Sequence, residues 1–139
     1  MRVKIKESEK FAYLFEEQTG FRFNRPITGI CTDRRECKNG DLYISIVGSK
    51  LNGNKFLPEV EKKGANAALV PKKENNLNIQ QIVVKNPKDS IAKLANIWRN
   101  QFDIPVIAIT GSNGKTSTKD LLVHVFLKRF NVHATKGNF

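Results

Sequence analysis

The sequence predicts an α/β chain in two parts, and three observations predict it. Short β-branched runs alternate with segments of helical period between residues 27 and 84. An Asn-Pro helix start follows at Asn86. A further strand–helix pair, joined by a glycine loop, begins near residue 104. At 139 residues the chain is long enough for one domain or two small ones.

Residues 8–18 read as the first helix. Phe11, Leu14 and Phe15 share a face, Ser8 can cap the start and Gly20 can end it. Residues 21–23 and 27–32 read as short strands separated by Pro26. Asn39-Gly40-Asp41 signals a turn, residues 42–47 a strand, and residues 49–54 a polar loop. Residues 56–63 read as a short helix with Phe56 and Val60 on one face, ended by Gly64. Residues 67–70 and 79–84 are expected strands, with a charged loop over 71–78.

Asn86 is the expected cap of the next helix, with Pro87 at its first position and Asp89 in its first turn. This helix runs to about residue 101, and Ile91, Leu94, Ala95 and Trp98 form its apolar stripe. The expected organisation is a first domain over 1–85, a connecting helix over 86–103, and the start of a second domain over 104–139.

Residues 106–109 are a β-branched run, expected as a strand buried on both faces. A helix is expected over 118–129. Leu121, Leu122, Val123, Val125, Phe126 and Leu127 leave only a narrow polar stripe of Asp120, His124 and Lys128. Such a helix should be buried against more than one neighbour. Residues 131–134 begin another strand. Two strands cannot bury that helix, so the chain is expected to be the front part of a longer protein.

Strand, glycine loop, Gly-Lys-Thr and helix together form a phosphate cradle. Gly111 and Gly114 let the backbone turn and approach a ligand closely. The N–H groups from Asn113 to Thr116 would point at phosphate oxygens, aided by the helix dipole. Lys115 is the catalytic candidate, reaching the terminal phosphates, and the Thr116 hydroxyl would hold Mg²⁺. Thr110, Ser112 and Ser117 complete the expected nucleotide contacts. The general pattern wants glycine where Ile109 stands, so this is a shortened form. The alternative is an ordinary glycine turn.

The formal charge of +11 suits either nucleic acid or phosphorylated small molecules. The basic residues are dispersed in runs no longer than two, without a recognised nucleic-acid motif, so nucleic acid is not the expected partner. No apolar run is long enough to span a membrane, and residues 1–10 carry no apolar signal core. A cytoplasmic protein with reduced Cys31 and Cys37 is therefore expected. His124 and His133 are isolated, with no metal-ligand spacing.

Two stretches resemble the Mur ligases, which build the peptide of bacterial peptidoglycan. Thr110-Gly-Ser-Asn-Gly-Lys-Thr116 is similar to their ATP loop, which also lacks the outer glycine. Thr32-Asp-Arg-Arg35, Gly40-Asp-Leu-Tyr-Ile-Ser-Ile-Val-Gly48 and Asn52-Gly-Asn-Lys-Phe56 are similar to the uridine-nucleotide domain that precedes it. The run from Trp98 through the loop to Ala134-Thr-Lys-Gly-Asn-Phe139 is most similar to the members adding the terminal dipeptide, with the Lys-Gly-Asn-Phe ending as the best discriminator. Arg34 stands where the family usually has Ser or Thr. Asn52-Gly53-Asn54 stands where it often has Asp-Gly-His or Asp-Ala-His.

The resemblance implies ATP-dependent amide formation. D-alanyl-D-alanine would join UDP-N-acetylmuramoyl-tripeptide through an acyl phosphate, in a complete protein that is a monomer. Thr32, Asp33 and Arg35 would bind substrate, Arg35 through the diphosphate. The alternative for Arg35 is a surface ion pair. Two other readings stay open: a Mur ligase adding the third residue, and a non-catalytic nucleotide-binding module. The family's remaining catalytic groups should lie beyond Phe139, so this chain alone is not expected to catalyse ligation.

Overall fold

Five short strands form one sheet in the order of the chain: β1 (Arg2–Lys4), β2 (Gly29–Cys31), β3 (Asp41–Ile44), β4 (Ala67–Val70) and β5 (Gln80–Val83). β1 pairs antiparallel with β2, and the other neighbours pair in parallel. This computed structural model describes residues 1–48 and 52–135. It divides into two compact units, Met1–Phe102 and Asp103–Phe139.

Side-chain alternation along the parallel strands builds two cores, one on each face of the sheet. Leu42 and Ile44 of β3, Ala67 and Leu69 of β4, and Ile82 of β5 face α1 (Ser8–Thr19) and α3 (Pro87–Asn100). Phe11, Leu14 and Phe15 of α1 and Leu94 of α3 complete that side. Tyr43, Ala68 and Val70 face the other way, where Leu57 and Val60 of α2 (Leu57–Lys62) cover them. A single 3₁₀ turn, Gly53–Phe56, leads into α2. The expected helical start at Phe56 is therefore partly 3₁₀.

Asn86 caps α3 as expected. Its Oδ1 accepts from the Lys88 and Asp89 amides at 3.0 and 3.4 Å. Ile91 and Trp98 pack against the core, while Ala95 is exposed. α3 lies within the first compact unit, packed on α1 and β3.

Several expectations are corrected. Ser8 does not cap α1: Glu7 holds that position, and the Ser8 hydroxyl donates to the Ile27 carbonyl at 2.7 Å. Residues 21–23 join no ladder. Phe23 instead stacks on Phe15 and Phe11, with ring centroids 4.3 and 6.0 Å apart. β1 was not foreseen. It is fastened by a fork between Arg2 and the fully buried Asp41, at 2.7 and 2.8 Å.

Cys31 and Cys37 are joined as a disulfide, with Cα atoms 5.5 Å apart, rather than reduced. The turn after β2 brings Cys37 back within bonding reach of Cys31.

In the second unit α4 (Lys115–Phe126) begins three residues earlier than expected. Residues 106–109 and 131–134 form no strand, because no ladder partner lies among the unit's described residues. Nor is α4 buried. Leu121 and Val125 are mostly exposed, as are Val106 and Ile107 before the loop. Among the described residues, no helix is long and apolar enough to cross a membrane.

Candidate functional site

Four parallel strands send their carboxyl ends to one edge of the sheet, the edge at which α/β sheets receive ligands. The segments leaving it begin at Thr32, Ser45, Pro71 and Val84. Three of these border a hollow of about 260 Å³ lined by Ser45, Ile46, Val47, Pro71, Lys85 and Asn86.

Thr32 continues β2, and its amide donates to the Met1 carbonyl at 3.1 Å. Asp33 then folds the chain: its Oδ1 accepts from the Arg35 amide at 2.9 Å. The same carboxylate takes the Arg35 guanidinium in a fork, Nε to Oδ1 at 3.0 Å and Nη2 to Oδ2 at 2.6 Å. These bonds from Arg35 hold the Asp33 carboxyl well below the usual carboxylate range. Arg35 itself is 77% exposed. The structure therefore brings Thr32, Asp33 and Arg35 together on one short turn.

Arg34 points elsewhere. Its guanidinium lies 4.1 Å from the Phe56 ring centroid, and its Nη1 is 3.2 Å from Glu59 Oε2. Asn54 is also inward-facing, at 5% exposure. It accepts from the Ser45 hydroxyl and donates to the Lys72 carbonyl at 2.8 Å, tying the end of β3 to the segment after β4. Gly53 beside it is required by close approach. A Cβ there would sit 2.8 Å from the Ile46 backbone. The Tyr43 hydroxyl donates to the Gly53 carbonyl at 3.2 Å, and burial pushes that phenol up to about 12. Arg34, Ser45 and Asn54 are structural participants that pattern reading missed. The only sequence signal was that two of them depart from the family pattern.

In the second unit the glycine loop bends into α4. Gly114 takes a left-handed φ of 77° and stands as the cap, and its carbonyl accepts from the Thr118 amide at 2.9 Å. Apart from Gly114 and its chain neighbours, no atom of the described residues lies within 4 Å of the point where a Cβ on Gly114 would stand, so the cradle is open there. The Lys115 ammonium reaches back across the loop and donates to the Gly111 carbonyl at 2.6 Å. Lys115, Thr116 and Ser117 form the first turn of α4, preceded by Thr110, Gly111, Ser112 and Asn113. First-turn amides, a dipole and an ammonium on a flexible stem can receive an anionic group. The Lys136-Gly-Asn-Phe139 segment lies outside the described residues.

Residues 26–105 match the profile described as Mur ligase family, catalytic domain. Residues 109–139 match the Mur ligase middle domain. The chain is 36% identical over 115 residues to the UDP-N-acetylmuramoyl-tripeptide–D-alanyl-D-alanine ligase of Synechocystis, covering 81% of this chain and 25% of that protein. It is 32% identical over 127 residues to the UDP-N-acetylmuramoyl-L-alanyl-D-glutamate–2,6-diaminopimelate ligase of Bacillus velezensis, covering 89% and 26%. Among solved structures, the MurF ligase of Thermotoga maritima in complex with ADP superposes with a TM-score of 0.70 at 30% identity, covering 78% and 25%. The chain thus spans about a quarter of the length of the curated relatives it matches.

Proposed function

The chain belongs to the Mur ligase family, and from that premise we propose that it serves a ligase joining D-alanyl-D-alanine to UDP-N-acetylmuramoyl-tripeptide with ATP. The observation that carries this reading is the loop over residues 110–116, bent at a left-handed Gly114 with Lys115 folded across it at the start of α4. The similarity to the Synechocystis enzyme supports the choice of amine, and the ADP-bound Thermotoga structure supports ATP.

In this reading the tripeptide carboxylate takes the terminal phosphoryl group of ATP, and the dipeptide amine then displaces phosphate to form the amide. Two anions must approach each other in the first step. Lys115 leaves the Gly111 carbonyl and sets its ammonium against the transferring phosphate. Thr110, Gly111, Ser112, Asn113, Gly114, Thr116 and Ser117 hold the nucleotide. The Thr116 hydroxyl, in the first turn of α4 beside the open cradle, fits a Mg²⁺ ligand. Bound Mg²⁺ supplies further neutralisation of phosphate charge. Thr32, Asp33 and Arg35 take the uridine-nucleotide end, with Arg35 on the diphosphate. The domain limits proposed are 1–85, 86–103 and 104–139. We place the protein in the cytoplasm, because ATP is the energy source for which the loop is built, and expect the complete enzyme to act as a monomer.

A second reading, addition of 2,6-diaminopimelate, is favoured by the 32% identity to the Bacillus velezensis enzyme. The test offers the complete protein ATP, Mg²⁺ and either UDP-N-acetylmuramoyl-tripeptide with D-alanyl-D-alanine, or the UDP-linked dipeptide with diaminopimelate. Product from the first pair alone is expected, and product from the second alone would transfer the assignment. Residues 1–139 by themselves should show no turnover.

A further inference from the structure

We propose that Arg34 is a positioning residue for nucleotide recognition: it clamps loop 32–36 onto α2 so that Arg35 is presented from a fixed backbone. This rests on the reading that the loop receives a uridine nucleotide.

The two adjacent arginines are held in opposite ways. Arg34 is one-third exposed, with its guanidinium over the Phe56 ring and its Nη1 on Glu59. Glu59 also lies 3.5 Å from the Lys63 ammonium. Lys63 in turn donates to the Arg34 and Arg35 carbonyls, at 2.7 and 3.3 Å. α2 and the residues flanking it at both ends, Phe56 and Lys63, thus grip the loop by a side chain and by two consecutive carbonyls. The Cys31–Cys37 disulfide joins the two ends of the same loop.

Among the described residues the Arg35 guanidinium is bonded only to Asp33, within its own turn, and it is 77% exposed. An incoming diphosphate could draw Arg35 from Asp33 at little cost, because an exposed pair is weak. Drawing Arg34 away would uncover Phe56 and leave Glu59 with Lys63 alone. The geometry therefore divides the work. Arg35 meets the anion, and Arg34 fixes the backbone that carries it. Lysine cannot replace Arg34 fully, since an ammonium has no flat face to lay on the ring.

The test titrates UDP onto the 139-residue chain and its Arg34→Ala, Arg34→Lys, Phe56→Leu and Glu59→Gln variants. Amide hydrogen exchange is followed in the same proteins. In Arg34→Ala, UDP affinity should fall about tenfold. Exchange at the Arg35 and Glu36 amides should quicken by about the same factor, while β4 amides keep their protection. Arg34→Lys should fall between. Phe56→Leu and Glu59→Gln should weaken UDP in the same direction, since Phe56 and Glu59 hold the Arg34 side chain and Glu59 also holds Lys63.

If Arg34→Ala weakens UDP while exchange is unchanged and the Phe56 and Glu59 variants are silent, Arg34 grips the ligand directly and the proposal is overturned. It is equally overturned if Arg34→Ala changes neither readout. If the unaltered chain ignores UDP but exchange responds to Arg34→Ala, the nucleotide reading fails and the clamp stands.

Discussion

Asp41 carries the first unit's most exacting electrostatic demand. Its carboxylate is fully buried at the start of β3, and it is satisfied by the Arg2 fork and by the Lys38 amide at 2.9 Å. Arg2→Ala would leave that charge without its cation. Urea unfolding should show a loss of about 3 kcal/mol, the typical cost of unpairing one buried partner; an unchanged midpoint would contradict the account. Asp33 differs, because its pair lies at the surface. Its folded-state proton affinity is lowered by Arg35, so the stabilisation is complete above the ordinary Asp range near pH 4. It is lost as pH falls from there toward the lower folded-state value. Stability curves of the chain and of Arg35→Ala should therefore be offset at about pH 6, and the offset should shrink steadily as pH falls below about 4. A constant offset would refute the linkage. At this scale, legibility followed distance along the chain. The Asn86 cap, with Pro87 and Asp89, was readable because its partners lie within three residues. Arg34 and Asn54 were not, since Glu59 and Lys72 lie 25 and 18 residues away.

Among elements, β4 was read to the residue, because Ala67–Val70 is an unbroken apolar run buried on both faces. Residues 106–109 show a similar run and form no strand. Apolar periodicity reports a wish for burial, whereas a strand also needs a ladder partner, and composition does not name one. β1 was missed for the complementary reason. Arg-Val-Lys has too little apolar content to signal a strand, yet Arg2 draws it alongside β2. α4 starts at Lys115 because Gly114 takes the capping conformation, which moves the first helical turn onto Gly-Lys-Thr. α3 offers the element-scale test. Asn86→Ala should lower stability by about 1 kcal/mol, and Asn86→Asp should restore most of it, as measured by denaturant unfolding. Equal effects of the two substitutions would remove the cap from the account.

For the whole molecule, the two units are built to different standards. Residues 1–102 enclose a sheet between two apolar cores. No described residue of 103–135 is buried, although α4 is rich in Leu and Val. The α/β class and the glycine loop were legible because each has a local signature. How the loop chemistry is completed was not, since that depends on groups the pattern does not name. The most direct measurement is a titration of ATP with Mg²⁺ onto the complete protein and its Lys115→Ala variant, with UDP as the control ligand. A phosphate cradle predicts ATP affinity weakened by about a hundredfold and UDP affinity unchanged. Equal ATP affinity in the two proteins would contradict it.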